Sequence, residues 1–427
     1  MPLLDPVQTS GPNARIVALL LAVTFLACAS SGAMQAFLAL HLRSAEGSGA
    51  WSFTAIGVAG ALFAGGILIG AAASGAWVRP QHADRLLVVS CAAMSASAVA
   101  YGVFDSLGTV LATRLLEGLS VGLFLVASES MLLDRAGELP GTPVAARYTI
   151  ANAAGHILGP ALAGAAVAFL GPAWPFHTAL LLAVLATGLV LYLTKNYGSA
   201  AITAVHVAPP RELSASAGAG GSDGMEDRHD RALGALSLAD ACACTFAFGG
   251  MQSALLVVLP PLLETDRAWS TGQATGALAL FALGATLAAV PSVRLAARFR
   301  HGRVLPVQTL IGGALLAVLL IIPAIPAIDA LLVLLFGLAV GSLSPVCLDA
   351  LRLRFGGRTL LRATAIYNGF YAAGLLLGAP AAGWIAHQTS ESGAVVATSV
   401  SLGATTLVLA LIYLARKRAG LLSTQRA

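Results

Sequence analysis

The chain has 427 residues, of which 58% are apolar and only 10% charged, against about 25% charged in an ordinary soluble protein. A soluble enzyme of this length would carry many polar surface stretches, and this sequence holds one, between residues 195 and 231. Composition therefore excludes a soluble globular protein and leaves room for twelve membrane helices of about 22 residues each.

The first apolar run follows Arg15 and covers 16–42. It is too long for a signal-peptide core and is read as the first spanning helix. Runs bounded by charge, Pro or Gly predict further helices over 53–77, 86–104, 107–133, 145–170 and 174–194. A second set follows over 232–263, 271–293, 304–325, 329–351, 363–387 and 393–415. The expected organisation is a six-helix bundle over 1–194, a solvated cytoplasmic linker over 195–231 and a second six-helix bundle over 232–427. The fold class is all-α integral membrane.

Orientation follows from Lys and Arg. With the N-terminus inside, 21 of the 24 fall in cytoplasmic segments, Arg43 and Arg267 lie outside, and Arg114 lies within a helix. This one-sidedness puts both termini in the cytoplasm. The formal charge of +5 thus marks one face of a membrane and argues for no nucleic-acid partner. The five cysteines, Cys28, Cys91, Cys242, Cys244 and Cys347, all sit in apolar runs. Residues two apart diverge on a helix, which speaks against Cys242 and Cys244 as a metal or redox pair. No cofactor and no metal are expected.

The two sets repeat each other. Gly118 and Gly337, Gly122 and Gly341, Gly155 and Gly374, Gly159 and Gly378, and Gly164 and Gly383 are each 219 apart, as are Arg79 and Arg298. In the first helix of each set, Gly32-Ala-Met-Gln35 matches Gly249-Gly-Met-Gln252 at 217. Six helices repeated in one orientation imply a pseudo-two-fold axis along the membrane normal, with a binding site between the halves.

Three motifs then resemble the major facilitator superfamily of secondary transporters, over essentially the whole chain. Arg114-Leu-Leu-Glu117-Gly118 is similar to the family's R-x-x-Q-G motif, with Glu for Gln. Gly155-His-Ile-Leu-Gly159-Pro160-Ala-Leu-Ala-Gly164 is similar to the motif of proton-coupled antiporters, with Ala146 in place of its earliest glycine, and Gly374 to Gly383, including Pro380, echoes it. Segments ending at Arg79 and Arg298 take the place of the G-x-x-x-D-R loop motif, whose aspartate is Val78 and Ala297 here. The resemblance implies two six-helix bundles, alternating access, a small-molecule substrate exchanged against protons, and a monomer in a bacterial cytoplasmic (inner) membrane.

Ionisable residues inside a bilayer are functional candidates by default. Asp240 lies nine residues past Arg231, roughly 13 Å in, where a carboxylate could load and release a proton. The alternative is a polar helix start. Arg114 and Glu117, three apart, share a helix face and can pair, as a proton relay or as a fixed structural pair. His156 could carry protons or bond a backbone carbonyl. Gln35 and Gln252 are candidate cavity-lining residues, as are Asn152, Asn368 and Tyr371. Glu129 and Asp349 lie near the cytoplasmic boundary, where salt bridges to Arg79 and Arg298 would form a gate; Asp349 could instead pair with Arg352. Glycines spaced by four allow close helix approach, and Pro160 and Pro380 bend their helices.

Proton-coupled efflux of a small organic solute is the leading expectation, with a proton symporter or facilitator importing a polar nutrient as the alternative. A membrane sensor or enzyme would need an output domain or a convergent catalytic set. The sequence contains no phosphate-binding loop and no catalytic motif of the common hydrolases.

Overall fold

A computed structural model describes residues 12–44, 53–77, 82–103, 106–134, 144–170, 174–202, 223–269, 271–355 and 357–418. Thirteen α-helices occur among them. The first six are α1 (Pro12–Ser44), α2 (Phe53–Trp77), α3 (Ala83–Val103), α4 (Leu107–Asp134), α5 (Val144–Leu170) and α6 (Trp174–Ile202). The others are α7 (Asp223–Thr265), α8 (Thr271–Phe299), α9 (His301–Ile321), α10 (Pro326–Val340), α11 (Leu343–Arg352), α12 (Gly357–Gln388) and α13 (Glu391–Arg418). Ten spans among the described residues are long and apolar enough to cross a bilayer, and α10 with α11 forms one of them, Pro326–Arg352.

One expectation needs correction. The helix expected over 329–351 breaks at Gly341–Ser342. There Gly341 is pressed against Ala285 of α8, and the Ser342 hydroxyl donates to the Ala339 carbonyl while accepting from Gln308 of α9. Helical structure extends into the linker expected over 195–231. Helix α6 runs on to Ile202 and α7 begins at Asp223, leaving 203–222 outside the described residues. No proline stands between Pro210 and Pro260, so nothing stops α7 from continuing past the membrane.

Packing divides the helices into two sets with matching neighbours. In the first, α1 packs on α5 and α6, α2 on α4, and α3 on α4 and α6; in the second, α7 packs on α12 and α13, α8 on α10, and α9 on α10 and α13. Between the sets α2 meets α12 and α5 meets α8, two contacts that exchange under the repeat. Fold class is thus the two-bundle helical membrane architecture expected from the sequence.

Small residues hold each bundle together. In lipid no water is expelled between helices, so backbones must approach closely to gain dispersion contact. Gly118 and Gly122 of α4 seat against the backbone of Phe63 and Ile67 in α2, and Gly337 and Gly341 seat against Phe281 and Ala285 in α8. Gly155 and Gly159 of α5 seat against Phe25 and Ala29 of α1, while Gly374 and Gly378 of α12 seat against Phe246 and Gly250 of α7. A methyl on any of these would strike backbone.

These contacts also reset one register. They pair Phe25 with Phe246 and Ala29 with Gly250, a separation of 221. The match at 217 that made Gln35 and Gln252 equivalent is therefore offset by four residues, about one helical turn, and Ser31 holds the position corresponding to Gln252. Gly383 differs too: a methyl there would meet open space, so the close packing expected from its glycine is absent. The side-chain surroundings of Gly164 lie outside the described residues.

Candidate functional site

The last three turns of α4 are buried throughout, from Val121 to Leu133 apart from Leu123. Within that stretch Glu129 is 3% exposed, and its carboxylate accepts a hydrogen bond from the Asn368 amide of α12. Asn368 is anchored on its own helix by a second donation to the Thr364 carbonyl, 3.0 Å away. Glu129 and Asn368 belong to different bundles, so this bond crosses the seam between them. Tyr148 of α5 and Cys28 of α1 adjoin the same carboxylate. Next to it Ala71 of α2, Val126 of α4, and Leu361 and Ala365 of α12 form a buried apolar cluster. Ala71 lies six residues before the end of α2 and Leu361 four after the start of α12, so the bundles touch on the arginine-rich side. Among the described residues no cation lies in ion-pair range of Glu129. An ionised carboxylate buried among neutral groups costs several kcal/mol.

A second charged cluster lies inside the first bundle. The Arg114 guanidinium donates to Glu117 at 2.7 Å, the pairing expected from their spacing, and the Tyr101 hydroxyl of α3 donates to the same oxygen at 3.1 Å. Arg114 also stands 4.5 Å from the ring centre of Phe63 in α2. Both members of the pair are buried, at 7% and 2% exposure.

Other candidates fall on α5, α7 and α12. The Tyr371 hydroxyl of α12 donates to the Gln252 side-chain oxygen of α7 at 2.8 Å, and the Tyr371 ring stacks on Phe248. Asn152 and His156, four apart on α5, share a face. Asn152 is half-buried and His156 exposed, beside Gly32 of α1; no bond from His156 to a backbone carbonyl occurs among the described residues. Asp240 is buried on α7, one turn before Cys244. The Gln35 side chain and Arg79 lie outside the described residues.

A model of the Major Facilitator Superfamily matches residues 241–426. The fold is shared more widely. The human organic anion transporter MFSD10 (TETRAN) is similar at a TM-score of 0.67 and 15% identity, over 93% of this chain and 100% of that one. The proton:xylose symporter XylE gives 0.68 and 15%, over 94% and 95%, and the E. coli fucose:proton symporter FucP gives 0.64 and 13%, over 93% and 98%. The second half of the chain is thus similar to the major facilitator superfamily, and the whole chain shares the fold of these transporters. No curated protein sequence matches it.

Two of the expected gate residues have other partners. Glu129 meets Asn368 instead of a loop arginine. Asp349 of α11 meets His301 at the start of α9, at 3.0 Å, more closely than Arg352 at 3.8 Å, so it ties two helices of one bundle. Arg298 is exposed, 5.5 Å from the ring centre of Phe299, and forms no ion pair among the described residues. Among the described residues neither carboxylate pairs with Arg298, and bridges to Arg79 lie outside them.

One cluster was missed. Arg267, just beyond α7, donates to the Ile322 carbonyl at 3.0 Å and to Asp329 at 3.2 Å, and Asp329 is wholly buried. It joins the α7–α8 connection to the end of α9 and the start of α10. The available signal was a lone acid at the head of an apolar run and one of only two arginines expected outside.

Proposed function

We propose that the protein is a secondary active transporter that moves a small organic solute by alternating access, coupled to protons and working in the direction of efflux. The observation that carries this reading is the Glu129–Asn368 bond. Closing the two bundles over an ionised Glu129 buries an uncompensated charge, whereas closing them over a protonated one does not. Proton binding and closure of the arginine-rich side are then linked equilibria, each biasing the other. Residues 1–194 and 232–427 would be the rocking units, with 195–231 as their cytoplasmic connection and both termini in the cytoplasm of a bacterial cell.

Asp240, Glu117 with Arg114, and His156 are further proton-handling groups in this scheme. Asn152, Gln252 and Tyr371, together with Gln35, would contact the solute. The glycines around Pro160 and their echo around Pro380 favour antiport through their likeness to the antiporter motif. Two of the similar folds are proton symporters for sugars, which favours import as the second reading.

The test is flux in proteoliposomes with and without an imposed pH gradient, using panels of organic anions, cations and sugars. Glu129→Gln, Asp240→Asn and Glu117→Gln are expected to lose uphill transport while keeping downhill exchange. Uphill transport at the native rate in all three would sink proton coupling through these groups, and the sign of the gradient that drives accumulation decides direction.

A further inference from the structure

Between α2 and α12, on the outside of the seam, lies an open groove of about 480 Å³. Small residues make it: Ala72 and Gly75 on α2 face Ala365, Gly369 and Ala373 on α12. The helices touch within it, where a methyl on Gly75 would meet Ala365 and one on Gly369 would reach Leu68. Ile366 and Phe370, both exposed, line the groove together with these small residues. Of the ten residues lining it, Arg362 is the one that carries charge, and it forms no ion pair among the described residues.

The groove has the length of one leaflet. From Arg362 to Ala373 is eleven residues, about 16 Å of helix, and half of a 30 Å hydrocarbon core is about 15 Å. Its wall is hydrocarbon, which rejects a polar solute and leaves water without partners. Arg362 stands at the end nearest the α12 start, on the arginine-rich side. A basic residue at the mouth of an apolar cleft between membrane helices matches a phosphate above an acyl chain.

We propose that this groove binds one anionic phospholipid of the arginine-rich leaflet, its acyl chain between α2 and α12 and its phosphate on Arg362. Because one wall belongs to each bundle, a bound lipid would favour the arrangement in which the walls stand at this separation. The lipid is thus a regulator of the rocking motion, separate from the transported solute.

Native mass spectrometry of the full purified chain tests this, with palmitoyl-oleoyl phosphatidylglycerol and phosphatidylcholine supplied at equal mole fraction. One phosphatidylglycerol should be retained about fivefold over phosphatidylcholine, the contribution of one surface arginine against anionic lipid. Arg362→Gln should bring the ratio near one while leaving an adduct. Ala72→Trp and Ala373→Phe, which fill the groove from opposite helices, should each remove the adduct with both lipids at unchanged elution volume. Undiminished retention in both filled variants would place the lipid elsewhere. A lipid-free dimer would make the groove an interface between copies, and equal retention of the two lipids by the native chain would remove the role of Arg362. Each of these outcomes overturns the proposal, and none depends on whether transport is proton-coupled.

Discussion

Replacing Asn368 by Leu keeps side-chain volume but removes the donor that reaches across the seam to Glu129. In the opened form both groups find water, so the loss is confined to the closed form. The closed form holds a protonated Glu129, and a hydrogen bond between neutral groups contributes about 0.5–1.5 kcal/mol, where 1.4 kcal/mol is a factor of ten. The open fraction should therefore rise about 2- to 12-fold. A reporter is available in Ala71, fully buried in the seam cluster. With the five native cysteines replaced by alanine, Ala71→Cys can react with a water-soluble thiol reagent only when the bundles part, so its labelling rate tracks the open fraction. Asn368→Leu should accelerate labelling by the stated factor. Glu129→Gln should slow it, because closure no longer waits for a proton to be bound. Labelling unchanged within twofold in both variants, at unaltered thermal stability, would refute the idea that this bond holds the bundles together.

The charged pair in the first bundle should behave as a buried one: Arg114→Leu strands Glu117 and costs about 3–5 kcal/mol, while Arg114→Leu with Glu117→Leu recovers most of it, both read by thermal unfolding in detergent. The same measurement on Arg267→Met should show a comparable loss, since Asp329 has no solvent to turn to, with recovery when Asp329→Leu is added. Gly118→Ala should destabilise by about 1–3 kcal/mol, because its methyl strikes the Phe63 carbonyl. Gly383→Ala, with open space around it, should be neutral or stabilise by a few tenths to about 1 kcal/mol.

How far the sequence speaks depends on whether the interaction is local. Helix α2 runs over 53–77 as hydropathy predicts, and Arg114–Glu117 is readable because a spacing of three puts both on one face. Hydropathy reports the membrane and not the helix, so it does not mark the polar turns by which α6 and α7 extend into the linker. It is equally blind to backbone geometry, so the break at Gly341–Ser342, inside an apolar run, left no trace. The G-x-M-Q match misplaced Gln35 and Gln252 by a turn because four letters, two of them common, weigh less than a set of glycine contacts. Glu129 could be flagged as a lone carboxylate in an apolar run, but no spacing rule leads from it to Asn368, 239 residues on. The bond exists only once two bundles have met.

A duplicated fold contains its own control. At the register of 219, Val333 and Phe336 occupy in α10 the places that Arg114 and Glu117 hold in α4. Both are buried, and Phe336 lies 5.6 Å, centre to centre, from Phe281, the counterpart of the ring beneath Arg114. Hydrocarbon alone satisfies that corner of the architecture. The ion pair in the other copy is consequently surplus to assembly, and two leucines should serve in its place.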